Sequence, residues 1–328
     1  MRKKIHIAVL SGGPSSEHDV SLKSGQMVLD ALKKTYETTN VFIDRAGKWN
    51  IHPADLKFFA DYAFIALHGS YGEDGSVQRE LEDHHIPYTG SDSLASALGM
   101  NKFLSLRLFR DAGLRIPHTL LFMRSAWCND SKRIIQKTLH YLHFPLVVKP
   151  NREGSSVGVS IVKNKEELAE AFGNCFSFSR DVLTEEFIKG REFTCGVLDH
   201  GWGESAYALL PTEIIPRVSH FFDYRAKYEI GGSFEVTPPV GLSRTIMREI
   251  RDTAVRAHRL IGASGFSRTD FILDENGKLH TIEINTIPGL TGESLLPKAA
   301  SAGNISFSEL IEKIIHAALF RYGKNFDF

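Results

Sequence analysis

The segment GFSRTDFILDENGKLHTIEINTIPG, residues 265–289, constrains the fold more than any other stretch of the chain. Two alternating runs flank Asn276-Gly277, a dipeptide that favours a tight antiparallel hairpin because both residues tolerate positive φ. A two-residue loop pairs Glu275 with Lys278, which places Asp270 opposite Glu283 and Arg268 opposite Asn285. Successive side chains alternate faces along a strand. The hairpin is therefore predicted to carry Arg268, Asp270, Glu283 and Asn285 on one face and Phe271, Leu273, Ile282 and Ile284 on the other. A four-residue loop slides the pairing by two and keeps both faces.

Two carboxylates opposed at about 5 Å repel one another unless positive charge lies between them. Magnesium is one candidate, because it takes oxygen ligands and is commonly held by one or two carboxylates with phosphate oxygens completing the shell. The amide oxygen of Asn285 supplies a neutral third donor. The other reading is a surface hairpin whose acids pair with Arg268 or nearby lysines, as most charged strand faces do.

A second segment, FPLVVKPNREGSSVGVSIV, places Lys149 at the end of an apolar strand, then a loop with Gly154, Ser155, Ser156 and Gly158, then another strand. Glycines admit backbone N–H groups close to an anion, and serine hydroxyls add donors. The loop suits a polyphosphate, yet it is neither a Walker loop nor a dinucleotide fingerprint, since G-x-x-x-x-G-K-[ST] and G-x-G-x-x-G are both absent. The plain alternative is a flexible hairpin with an exposed lysine. Lys102 and Lys227 are two further candidate cations.

The first hundred residues alternate short apolar runs at 5–10, 41–43 and 63–67 with a helical stretch at 20–32, which predicts a parallel α/β sheet. Ligands bind at loops leaving the carboxyl ends of such strands. SGGPSSEHDVS and HGSYGEDG lie there. A helix within 99–113 carries Lys102, strands follow at 146–149 and 160–162, and a further region holds a strand at 193–198, a helix at 246–261 and the hairpin at 266–285. The reading is an α/β protein, α+β in its later part, divided into regions 1–100, 101–184 and 185–328.

With 39 Lys plus Arg against 39 Asp plus Glu, no global field draws this chain to nucleic acid or an anionic membrane, so phosphate binding must be local. Cys128, Cys175 and Cys195 stand far apart, which excludes a closed disulfide framework and fits a reducing cytoplasm. The apolar run at 5–10 is too short for a signal-peptide core. No run approaches the ~18 apolar residues of a membrane span.

Taken together, SGGPSSEHDVSLKSG, LHGSYGEDG, LGMNK, VVKPNREGSSVGVS, LTEEFIKGREFT, FFDYRAKY, GFSRTDF and IEINTIPGLTGESLLP resemble, in order and over essentially the whole chain, the D-alanine:D-alanine ligases of the ATP-grasp superfamily. The resemblance implies a three-region ATP-grasp fold with an N-terminal parallel-sheet domain. It implies ATP-dependent joining of two D-alanines through an acyl-phosphate, with Mg2+ (two ions, Mn2+ as a substitute) and a homodimer. By the same resemblance, Glu17 anchors the ammonium of the first D-alanine. Lys102, Lys149 and Lys227 meet nucleotide phosphates, with Ser155 and Ser156 in the phosphate loop. Glu185, Glu186 and Ile188 border adenine, and Glu192 binds ribose. Asp270, Glu283 and Asn285 hold magnesium, Arg268 and the Gly289 N–H stabilise oxyanion charge, and Ser294 with the Leu295 backbone receives the second carboxylate. Ser155 and Tyr228 close a hydrogen-bonded group with Glu17, and His68 lies near the second substrate. Residue-level alternatives are ordinary ones: Glu17 as a helix-starting acid, Ser294 as an N-cap, and His68 as a structural histidine.

Asn151 after Lys-Pro and Arg225 in DYRAKY depart from typical forms at positions without an assigned chemical role. Segment 229–239 reads as a mobile loop continuing from Lys227 and Tyr228. D-lactate or D-serine as second substrate is the rival within the enzyme class, and a non-catalytic ATP-binding regulator is the rival outside it.

Overall fold

In the computed structural model, residues 4–155, 157–200, 206–216 and 233–323 are described. Ser156, Arg225, Lys227 and Tyr228 lie outside them.

The chain opens as the alternation predicts. Strands β1 (His6–Gly12), β2 (Glu37–Ile43) and β3 (Tyr62–Ile65) form a parallel sheet in the order β2-β1-β3. Ile7, Ala8, Val9 and Leu10 are fully buried at its centre, as a central parallel strand covered on both faces requires. Helix α1 (His18–Leu32) lies on this sheet with Gly25 at the contact, where a Cβ would stand 2.5 Å from the Cβ of Ser11. The missing side chain sets how closely α1 approaches β1, and so where Glu17, immediately before the helix, is held.

A four-stranded antiparallel sheet, β4-β7-β5-β6, combines Thr119–Met123 (β4), Leu146–Pro150 (β5), Ser160–Val162 (β6) and Asp181–Glu186 (β7). Its core is built by Val148, Leu168, Phe172 and neighbours, with the helix Lys165–Phe178 across one face. A second, larger sheet runs β11-β10-β8-β12-β13, with β9 paired to β8 off this path, from Gly190–Leu198 (β8), Tyr207–Ala208 (β9), Thr212–Pro216 (β10), Ser233–Val236 (β11), Phe266–Asp274 (β12) and Leu279–Asn285 (β13). Helix Arg244–Leu260 covers it through Ile250 and Ala254. Of the segment read as a loop at 229–239, residues 233–236 are strand, paired with β10.

The hairpin departs from its predicted turn in an instructive way. Asp274 and Lys278 close the loop, so three residues, Glu275, Asn276 and Gly277, form it, with Gly277 at φ 73°. Asn276-Gly277 is only part of the loop: Asp274 Oδ1 accepts from both Asn276 N at 2.9 Å and Lys278 N at 2.8 Å, which stabilises the wider turn. A one-residue slip by itself would turn the polar face into the core. A bulge between Asp270 and Phe271 removes it. Beyond the bulge, Asp270 pairs with Glu283 and Arg268 with Asn285, as predicted. Ile282 is the additional residue at that bulge, and instead of joining Phe271 and Leu273 in the core it faces a cleft with Ile272.

The last helix, Phe307–Arg321, returns to the first sheet. Leu310, Ile311, Ile314 and Ile315 share one core with Ile7, Val28 and Phe64, and Tyr36 Oη donates to Glu312 at 2.7 Å. The first sheet and this last helix thus share one apolar core.

Candidate active site

Two cavities meet beside β12 and β13. The larger, about 1310 Å3, is lined by Glu17, His68, Ser155, Arg268, Gly289 and Ser294, among others. The smaller, about 240 Å3, is a slot between the two antiparallel sheets, walled by Val147, Ile161, Ile188, Ile272 and Ile282 with Lys149, Glu185, Glu186, Glu192 and Asp270 along its length. Lys102 and Glu283 line both. Their side chains are 3.3 Å apart.

The polar face of the hairpin is a charge network. The Arg268 guanidinium forks onto Asp270, Nε to Oδ1 and Nη2 to Oδ2, each at 3.0 Å. Thr194 on β8, directly across from Asp270, donates to Oδ1 at 2.6 Å. Burial alone would lower the Arg268 pKa, but Asp270, together with Glu283 and Glu73, outweighs it and holds the group charged well above its usual range. Asn285 Oδ1 accepts from Ile287 N at 2.8 Å, closing the turn that leads to Gly289.

Glu17 stands at the N-cap position of α1. Ser155, reaching across from the glycine-rich loop with φ 50°, donates to Glu17 Oε1 at 2.5 Å. The loop between β5 and β6 therefore spans from the slot to the amino-terminal sheet. Lys149, on β5, and Glu185, on β7, are buried as an ion pair with 2.8 Å between Nζ and Oε2.

Ser294 occupies the N-cap position of helix Leu295–Ala302, yet its side chain makes no cap bond. Its Oγ instead accepts from Thr291 N at 3.1 Å and shares a 2.8 Å hydrogen bond with Thr291 Oγ1. Ser294 and Leu295 both line the cavity, so the start of that helix borders it, a favourable place for a carboxylate.

His68 is 3% exposed and engaged at both ring nitrogens. Nδ1 donates to Ile287 O at 3.2 Å, which leaves Nε2 to accept from Ser24 Oγ at 2.8 Å, while Leu290 N donates to the same hydroxyl. Burial lowers its pKa and keeps the ring neutral. His68 thus fastens the turn around Gly289 as well as lining the cavity.

Sequence reasoning missed three groups here. Glu73, within HGSYGEDG, is buried, accepts from Gly69 N at 2.8 Å, and is pushed up to about 8 by burial and by Glu17. The acid-rich loop after a parallel strand was a usable signal for it. Thr194 could have been found by extending the strand register to a third strand. The Glu153 carbonyl, which accepts from Lys102 Nζ at 2.7 Å, has no side-chain signature.

Comparison with known proteins decides the relationship. A family model described as D-ala D-ala ligase C-terminus matches residues 108–316, and one described as D-ala D-ala ligase N-terminus matches residues 6–60. The chain belongs to the D-alanine–D-alanine ligase family. A D-alanine–D-alanine ligase of Geotalea uraniireducens is 42% identical over 316 residues, 95% of each chain. One from Syntrophobacter fumaroxidans is 42% identical over 319 residues, covering 97% of this chain and 98% of the relative. Among solved structures, the Bacillus anthracis D-alanine–D-alanine ligase complexed with ATP superposes with TM-score 0.80 at 34% identity, covering 98% of this chain and all of that one. The Enterococcus faecalis VanG D-Ala:D-Ser ligase superposes with TM-score 0.85 at 30% identity, covering 96% and 100%. The architecture is the ATP-grasp fold of this family, with its N-terminal parallel sheet.

Proposed function

We propose that this chain joins two D-alanine molecules into D-alanyl-D-alanine at the expense of ATP, through a D-alanyl phosphate, to supply a peptidoglycan precursor. The carrying observation is that Glu17, Arg268 and Ser294 converge in one cavity that opens past Lys102 and Glu283 into an apolar slot. A mere nucleotide binder has no use for such a pocket.

In this reading adenine lies among Val147, Ile161, Ile188 and Ile272 beside Glu185 and Glu186, with ribose toward Glu192. Lys102 and Lys149, with the loop at Ser155 and Ser156, face the phosphates, and Lys227 adds charge from outside the described residues. The ammonium of the first D-alanine pairs with Glu17, so its carboxylate attacks the γ-phosphate in line, breaks the bond to the β-phosphate oxygen so that ADP leaves, and becomes an acyl-phosphate. Ser294 and the Leu295 N–H hold the second carboxylate while its amine attacks the acyl carbon. Arg268 and the Gly289 N–H stabilise the oxyanion, a role typically worth about 3 to 4 kcal/mol per donor. Ser155, Tyr228 and Glu17 close the group around the amino end. Loss of phosphate leaves the dipeptide.

Asp270 and Glu283 stand in register on neighbouring strands with Asn285 on the same face, a hard oxygen donor set. Among the described residues no group of three His, Cys, Asp or Glu side chains could hold a metal. Two carboxylates and an amide fit Mg2+, or Mn2+ in its place, when phosphate oxygens complete the shell. When bound, two such ions would neutralise charge on the transferring phosphoryl group.

No helix among the described residues is long and apolar enough to cross a membrane. A cytoplasmic homodimer of three regions, 1–100, 101–184 and 185–328, is the setting we propose. The structural likeness to a D-Ala:D-Ser ligase keeps the acceptor open to test. ADP release measured with and without D-alanine, then with D-serine and D-lactate competing, should show D-alanine dependence and a dipeptide product. ATP turnover indifferent to D-alanine would refute the ligase reading.

A further inference from the structure

Asn151, to which the ligase reading gives no role, is fully buried. All of its polar groups are used. Its amide N–H donates to Asp181 O at 3.1 Å and its carbonyl accepts from Lys102 N at 3.2 Å. In the side chain, Oδ1 accepts from Phe103 N at 2.9 Å, while Nδ2 donates to Asn101 Oδ1 at 3.0 Å and to Asp181 Oδ2 at 2.7 Å.

These contacts fall on one mechanical point. Lys102 is the first residue of the helix Lys102–Asp111, capped by Asn101. The first N–H groups of a helix have no partner within it. Here Asn101 takes the N–H of Leu104, and Asn151 takes those of Lys102 and Phe103. The helix is capped twice, once by its own preceding residue and once by a strand-end residue about fifty positions along the chain. Asn151 lies two residues after Lys149, and the Lys102 ammonium reaches back to Glu153 O, two residues further on. An asparagine side chain combines one acceptor with two donors. Aspartate lacks the donors, and an aliphatic residue lacks both.

We propose that Asn151 is a positioning residue for phosphate binding, which acts by locking the helix start that carries Lys102 to the strand end that carries Lys149. The proposal rests on the assignment of Lys102 to nucleotide phosphate. It reaches no substrate itself; its effect passes through where the Lys102 ammonium stands between the two cavities.

The test is a double-mutant cycle read by calorimetric titration of ADP and by steady-state kinetics. Asn151→Ala should weaken ADP binding and raise the KM for ATP about tenfold, the scale set by misplacing one charged contact, with the KM for D-alanine changed less than about twofold. Lys102→Met should weaken ADP binding by a similar factor, and adding Asn151→Ala to it should then cost less than about a further twofold. If Asn151→Ala does not yield folded protein, Asn151→Ser, which keeps one donor and acceptor, carries the same cycle with a smaller first effect. Full additivity of the two changes overturns the positioning role while leaving Lys102 as a phosphate contact. Unchanged ADP affinity in Lys102→Met overturns both. A fall in kcat alone, with both KM values and ADP affinity unchanged, marks Asn151 as structural and also overturns the proposal.

Discussion

The two cavities are built on opposite principles. The larger one, about 1310 Å3, gathers charged and polar groups from elements far apart in sequence: Glu17 before α1, Ser155 in the β5–β6 loop, Arg268 on β12 and Ser294 before a later helix. The slot, about 240 Å3, is mostly the apolar inner surface of two facing sheets with a buried Lys149–Glu185 pair in its wall. Apolar enclosure needs only strands with the right alternation. A pocket for small zwitterions needs several charges at fixed separations, each desolvated and each balanced. The slot is therefore expected to tolerate conservative change in its walls, and the cavity is not.

The sharpest break falls where the two meet. Glu283→Gln removes the carboxylate that lines both spaces and faces Lys102, and should lower kcat/KM by at least about 100-fold; Asp270→Asn should act in the same direction. Thermal melting should show both variants folded. Near-normal turnover in both would detach the hairpin from the chemistry.

A smaller effect should separate the spaces. Glu17→Gln, confined to the cavity, should raise the KM for the first D-alanine by about 10- to 150-fold, the equivalent of losing a charge-assisted contact of about 1.5 to 3 kcal/mol. The KM for ATP should stay nearly constant. Parallel rises in both constants would show that the two spaces are not independent.

The converse belongs to the slot. Ile272→Val trims one methylene from an apolar wall, and at about 0.8 kcal/mol per methylene it should raise the KM for ATP by about fourfold without a comparable change for D-alanine. An effect on D-alanine alone would misplace the nucleotide.

How much of this could be read beforehand follows from the range of each interaction. The polar face of Arg268, Asp270, Glu283 and Asn285 was legible because alternation is a local property, and the parallel first sheet was legible from short apolar runs. The loop length was not. Asn276-Gly277 suits two turn types, and the choice was made by Asp274, whose side chain caps the wider one. The bulge that compensates for the wider turn also brings Ile282 to the slot instead of the core side that alternation predicts. The Lys149–Glu185 pair, the return of helix Phe307–Arg321 to the first sheet and the double cap by Asn151 join residues distant in sequence, and no spacing announces them. The roles of Ser156, Lys227 and Tyr228 rest on family resemblance, since they lie outside the described residues.

The smallest expected effect is one of stability. Burial, then Glu17, pushes Glu73 up to about 8 from 4.5. A carboxyl whose pKa is raised by folding stabilises the native state below about 4.5, and that contribution is lost as pH rises to about 8, at no more than about 1.4 kcal/mol per pH unit. Glu73→Gln keeps an acceptor for Gly69 N but has no proton to lose. Its melting temperature relative to the parent should therefore climb between pH 5 and pH 8, by a few degrees; a constant difference would mean Glu73 does not titrate in the folded protein.

The bulge at Asp270 has a consequence in time as well as in space. It interrupts the regular ladder between the hairpin tip and the pairs at Arg268–Asn285 and Asp270–Glu283, and cooperative opening of a sheet propagates along an unbroken ladder. The tip, exposed around Glu275 to Lys278, can fray and reclose as a separate unit while the carboxylates stay clamped between Thr194 and Lys102. Amide hydrogens on the two sides of the bulge should accordingly exchange with solvent in two distinct regimes, fast at Lys278 and slow at Glu283, which pairs with Asp270.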